Sequence, residues 1–231
     1  MMKTFTRQHI NDLEQRYRAR LINCLSGFKS ANLLGTQDSD GNLNLAIVSS
    51  VVHLGANPPL VGLIMRPNTV VRHSFENMVE TGVFTINQVS SEFWQAAHQT
   101  SARYPKSQSE FDAVGLTPEY IDDFGAPYVA ESQLKYGVSL REIKHIDANN
   151  TEFVIAEIEQ IHVNKTAISE DGYLDVESLG TVAVSGLDSY HVTQRLSRLS
   201  YAKPGQPADH LDVSGERIET MPENVTRLNQ G

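Results

Sequence analysis

Ser49 and Ser50 stand side by side at the end of an alternating run, in which Asn44, Ala46 and Val48 share one face and Leu45 and Ile47 the other. A Pro58-Pro59 break follows, then the apolar run Leu60–Met65, which ends in Arg66-Pro67. Thr69, a good N-cap, and Arg72 fall at the start of the helix expected next. Two hydroxyls, a helix N-terminus and one or two guanidinium groups can bind a phosphate, because O–H and N–H donors meet its oxygens while the cations balance its charge. The same residues would also make a Ser-Ser turn with surface arginines, and the segment taken alone does not choose. A second polar group, Thr100, Ser101 and Arg103, closes a helical segment. It would either complete an anion site or cap that helix.

Other chemistries are poorly supplied. The chain has no G-x-x-x-x-G-K-[ST], no G-x-G-x-x-G after a strand, no H-E-x-x-H and no G-x-S-x-G. None of the 8 histidines pairs with another at i,i+3 or i,i+4, which disfavours metal catalysis. Cys24 is the single cysteine, so an intrachain disulfide and a multi-cysteine metal site are excluded. With 28 Asp+Glu against 19 Lys+Arg, the net charge of -9 argues against nucleic acid or an anionic membrane as partner. A small anion needs only a local patch of donors and stays possible on charge grounds. The N-terminal residues lack an apolar h-region, and no apolar run approaches the roughly 18 residues of a membrane span. A cytoplasmic location is the expectation.

The elements that must hold these residues are mostly strands. Residues 7–25 carry an apolar stripe (Ile10, Leu13, Tyr17, Leu21 and Cys24/Leu25) that predicts one helix, with Gly27 as its stop. Residues 31–36 and 43–53 read as strands flanking the turn cluster Asp38–Gly41. A helix from Thr69 to about Glu80, ended by Gly82, leads to a strand over 83–87. Residues 91–103 read as a second helix, and 104–127 as short helical pieces at most. Phe93, Trp94 and Phe111 are expected to pack. Strands are expected over 128–132, 136–145, 152–163 and 182–185, the middle pair joined by a turn at Asp147–Asn150. Hairpin signals between successive strands favour an antiparallel barrel or sandwich. The organisation is an N-terminal helical extension (1–25), one domain (26–205) and a polar tail (206–231). With 40% hydrophobic residues the chain can form a continuous core.

In order along the chain, G-x-x-N-x-A-x-x-S-S, P-P-L-x-G, R-P, T-x-x-R, T-G-x-F-T-I-N and S-E-F resemble the flavin reductase-like family. Ala126–Ser132, Gly186–Tyr190 and Arg198–Pro204 agree as well, so the resemblance runs from about Ser26 to Pro204. It implies a mainly β, antiparallel split β-barrel with an N-terminal helix and a few peripheral helices. It also implies non-covalent FMN in the cleft of a homodimer. Asn44, Ala46 and Val48 would line the ring, chiefly through backbone and small side chains. Ser49 and Ser50 would reach the ribityl chain or phosphate. Arg66, Pro67, Thr69 and Arg72 would close the phosphate end, and Thr100, Ser101 and Arg103 would finish it. Tyr104, Phe111 and Tyr190 are further aromatic candidates. The implied reaction moves hydride from NADH or NADPH to FMN, with no side chain required as acid or base and the final acceptor unspecified. The alternative is a flavin-binding carrier or electron-transfer module without turnover. A split-barrel oxidase acting on a phosphorylated vitamer such as pyridoxamine phosphate ranks below both.

Overall fold

The computed structural model describes residues 1–66 and 72–219. Two short helices open the chain, α1 (Arg7–Asn11) and α2 (Gln15–Cys24). The single helix predicted over 7–25 is therefore broken. Glu14 is the cause: its carboxylate accepts from the Tyr17 N–H at 2.9 Å and starts a new helix as an N-cap. Neither helix buries a residue.

Strands follow as β1 (Lys29–Ser30), β2 (Asn32–Gln37), β3 (Leu43–Val48), β4 (Val52–Ala56) and β5 (Pro59–Met65). The run predicted over 43–53 is thus two strands with a break at Ser49–Val51. Helix α3 (His73–Thr81) has Arg72 at its cap position, so it starts later than predicted, and Thr69 lies outside the described residues. Its C-terminus is closed by Gly82 at φ 72°, where a side chain would be strained. Then come β6 (Val83–Gln88), α4 (Trp94–Gln99), α5 (Glu110–Val114), β7 (Pro118–Glu119) and β8 (Tyr128–Val129). The long hairpin β9 (Leu134–Ile146) and β10 (Thr151–Val163) precedes β11 (Val182–Ser185), β12 (Ser189–Val192), β13 (Arg198–Leu199) and β14 (His210–Leu211). β14 pairs with β13, so the first part of the expected tail folds back on its own chain.

Every strand pair is antiparallel. The main sheet has seven strands in the order β3-β2-β6-β9-β10-β5-β4. Its two edge strands, β3 and β4, are joined by Ser49–Val51 alone. A flat sheet of seven strands would set its edges roughly 29 Å apart. The extended link from Val48 to Val52 reaches only roughly 14 Å. The sheet must therefore curl until its edges meet, which makes it a barrel. Irregular register between Ile155 and Ala156, and again between Ile158 and Gln160, bends the long hairpin in the way this closure needs.

Adjacent residues Leu33 and Leu34 of β2 serve two different cores. Leu34, Leu63, Phe84, Ile86, Val138 and Val154 fill the barrel interior, with Val48 and Val51 packed against them. Leu33, Leu45, Phe93, Ala97, Phe111 and Val184 form a second core outside β2 and β3, under α4, α5 and the small sheet β1-β11-β12. Gly35 lies on β2 where any Cβ would collide with the Pro127 carbonyl, which accepts from the Thr85 hydroxyl at 2.6 Å. Among the described residues no helix is long and apolar enough to cross a membrane.

Candidate functional site

The residues singled out in the sequence gather around β3 and the open end of the barrel. β3 pairs with β2 on one side only, so the N–H groups of Leu45 and Ile47 point off the sheet edge. Both are met by side chains. The Glu110 carboxylate accepts from the Leu45 N–H at 2.9 Å, and the Thr100 hydroxyl accepts from the Ile47 N–H at 3.0 Å. The Thr100 hydroxyl also donates to the Ala97 carbonyl at 2.8 Å, tying α4 to the strand. On the opposite face of β3, the Asn44 amide donates to the Ser74 hydroxyl at 2.7 Å and fastens the strand to the first turn of α3.

Ser50 has a more specific task than a turn hydroxyl. Val52 is the partner of Gly62, and two residues further along that register Ser50 faces Ile64. Its hydroxyl donates to the Ile64 carbonyl at 3.0 Å and accepts from the Ile64 N–H at 3.2 Å. One side chain thus takes both backbone groups of Ile64 where β4 no longer reaches. The stitch holds the end of β5 two residues before Arg66. Ser49 is half-buried in the link between the two sheet edges, and Ala46 is half-buried on β3.

Arg66 leaves β5, Arg72 precedes α3 and Arg103 follows α4, yet the positive charges of Arg66 and Arg103 are both felt at the Arg72 guanidinium. Arg72 has its pKa lowered, first by burial and then by the positive charges of Arg66 and Arg103. Like charges brought this close are unfavourable by themselves and become favourable around an anion. Among the described residues no carboxylate forms an ion pair with Arg66 or Arg103. Ser101 is exposed on the turn after α4, its N–H bonded to the His98 carbonyl at 3.0 Å. Pro67 and Thr69 lie outside the described residues.

The aromatic candidates separate. Phe111 is fully buried in the outer core, which agrees with a packing role. The Tyr104 hydroxyl accepts from the Gln99 amide at 3.3 Å. Tyr190 lies against Trp94 and bonds to His98 Nδ1 at 2.9 Å. Burial raises its pKa, with Asp188 adding to the shift.

Apart from Asn44, sequence reasoning missed the polar residues beside β3. Asp38, Asn42, Asn44, His73, Lys106 and Glu110 line a small cavity between the β2–β3 turn, the start of α3 and the approach to α5. Burial pushes the Glu110 carboxyl up against the opposing pull of the Leu45 N–H. Hydrogen bonds from Asn42 and Lys106 hold the Asp38 carboxyl far below the usual range. In the sequence Asp38 reads only as part of a turn, and Glu110 has no partner within one helical turn to mark it. Among the described residues no group of three or more His, Cys, Asp or Glu is placed to hold a metal ion.

The flavin reductase-like domain model matches residues 25–178. Among solved structures, a split-barrel protein from Shewanella frigidimarina assigned as a flavin reductase is 57% identical, with a TM-score of 0.84 over 87% of this chain and 100% of that one. Nitrilotriacetate monooxygenase component B from Bacillus cereus is 19% identical, with a TM-score of 0.75 over 84% of this chain and 97% of that one. Flavoredoxin of Desulfovibrio vulgaris is 22% identical, with a TM-score of 0.64 over 78% and 92%. The last two share the fold.

Proposed function

The chain belongs to the flavin reductase-like domain family, and from that premise we propose that this flavin oxidoreductase takes FMN, with NADH or NADPH as hydride donor. One observation supports the choice of a phosphorylated flavin: Arg66 at the end of β5 and Arg103 after α4 both press positive charge on Arg72. A phosphate offsets the mutual repulsion of these charges, which a flavin without one cannot do. The donor set fits a phosphate ester, whose oxygens accept several N–H donors at once.

When bound, FMN supplies a ring that accepts hydride, and the protein supplies binding and orientation. Arg72 and Arg66 are assigned to the phosphate, with Arg103 completing the set. Ala46 and Val48 are assigned to the ring, Ala46 because its small side chain keeps that part of the strand low. The outward N–H groups of Leu45 and Ile47 on β3 are already taken by Glu110 and Thr100. The strand therefore offers a fixed surface instead of free donors. Ser50 acts indirectly, by fixing the backbone from which Arg66 projects. Ser49 is kept for the ribityl chain, and Pro67, Thr69 and Ser101 for the rim of the phosphate site.

A homodimer is part of this reading. Tyr17, Ile22, Leu25 and Phe28 are exposed on and after α2, and Val52 and Leu54 are exposed on the edge strand β4. A second subunit would cover such apolar surface.

Anaerobic mixing of the FMN-loaded protein with NADH, then NADPH, tests the activity. Loss of the flavin absorbance near 450 nm within seconds is the expected result. Flavin that binds tightly but keeps its colour with both nucleotides would favour the carrier instead.

A further inference from the structure

The eleven-residue stretch from Thr100 to Glu110 is fastened to the β2–β3 hairpin at three points, and its middle fastening has no role in the fold's cores. Thr100 holds the Ile47 N–H, near the far end of β3, and Glu110 holds the Leu45 N–H. Between them, Lys106 Nζ reaches Asp38 Oδ2 at 2.9 Å, at the turn that joins β2 to β3. The stretch thus runs along the free edge of β3 from one end to the other and doubles back to Leu45. Arg103 lies in the first span, between the Thr100 and Lys106 fastenings.

The two ends of the ion pair differ. The Asp38 side chain is 2% exposed and that of Lys106 is 56% exposed. Asp38 also accepts from the Asn42 N–H at 2.8 Å, the Asp40 N–H at 3.1 Å and the Asn42 amide at 2.9 Å. A carboxylate held by that many donors is an immovable anchor, so the pair restrains Lys106 and with it the loop. Without it, the side-chain ties of Thr100 and Glu110 to the edge of β3 would remain, and a loop of that length with fewer ties samples more conformations. Arg103 would then spend less time beside Arg66 and Arg72. Charge repulsion within the cluster would add to its departure.

We propose that the Lys106–Asp38 ion pair is a latch on a strap that keeps Arg103 in the phosphate site, making Lys106 and Asp38 positioning residues for the phosphate end of the flavin. This rests on the reading of Arg66, Arg72 and Arg103 as that phosphate site. The latch acts on the phosphate alone, because β3 and the ring-facing residues are held separately by Thr100, Glu110 and Asn44.

The test compares FMN with riboflavin, which lacks the phosphate, by titrating each into apoprotein and following flavin fluorescence. Lys106→Met is expected to weaken FMN about three- to tenfold, the range of one lost polar interaction, while riboflavin changes less than twofold. Lys106→Arg keeps the ion pair and restores FMN affinity. In an Arg103→Ala background, adding Lys106→Met should cost nothing more, since the latch then has nothing to position. Thermal unfolding of each variant confirms that it is folded, and exposed Lys106 is the safer side of the pair to change. Equal weakening of FMN and riboflavin, or the same loss with and without Arg103, overturns the latch and leaves the phosphate site standing. Arg103→Ala binding FMN as tightly as wild type overturns the arginine reading and the latch together.

Discussion

Two of the molecule's groups of arginines differ in the charges that surround them. In the C-terminal region Arg195 bonds to Asp175 at 2.8 Å, and Arg198 pairs with Asp171. Arg198 also donates to the Val213 carbonyl at 2.7 Å and lies over the Tyr173 ring at 4.1 Å. The Arg195 pKa is driven up by Asp175 first and Tyr173 second. At the barrel mouth Arg72 is driven down, by burial and by two other arginines. A guanidinium whose charge is answered by its own chain is a fastening. One whose neighbours repel it gains most from an anion brought from outside. The sequence composition hides this, because both groups draw on the same 19 basic residues in an acidic chain.

The largest effect should come from removing the partly buried member of the repelling group. Arg72→Ala is expected to weaken FMN by roughly 10- to 150-fold, the equivalent of about 1.5–3 kcal/mol, with riboflavin nearly unchanged. Isothermal titration of both flavins measures it, and a parallel loss of riboflavin would erase the distinction between the two groups. Asp175→Asn tests the other group. It should lower unfolding free energy by about 1–2 kcal/mol, because Arg195 loses its acid in a partly buried position. FMN affinity should stay within twofold in the same protein. Ser50→Ala sits between the two kinds of residue and should cost about 1 kcal/mol in denaturant unfolding through the freed Ile64 groups. FMN affinity should fall a few-fold more than riboflavin affinity, through the loosened Arg66 backbone, and an unchanged ratio would remove Ser50 from the positioning of Arg66.

Much of the architecture was legible in local patterns. The strand at Val182–Ser185, the turn at Asp147–Asn150 and the helix end at Gly82 are where alternation and turn chemistry put them. The helix over 7–25 was misjudged because apolar spacing continues across Glu14, while the break is made by that carboxylate capping Tyr17. Likewise the run over 43–53 reads as one strand, while Ser49–Val51 crosses from one sheet edge to the other, a connection that alternation does not record. Residue types and spacing marked the arginines as site candidates and the family resemblance agreed, but the effect of Arg103 on Arg72 and the tie of Lys106 to Asp38 link segments far apart in sequence. No periodicity records such contacts.

The covering of β3 has a consequence for the empty protein. An outermost strand with bare amide hydrogens is a template on which strands of other molecules can add. Here Thr100 and Glu110 occupy those hydrogens before any ligand arrives. Their side chains therefore guard against aggregation at this edge, independently of whatever occupies the cleft.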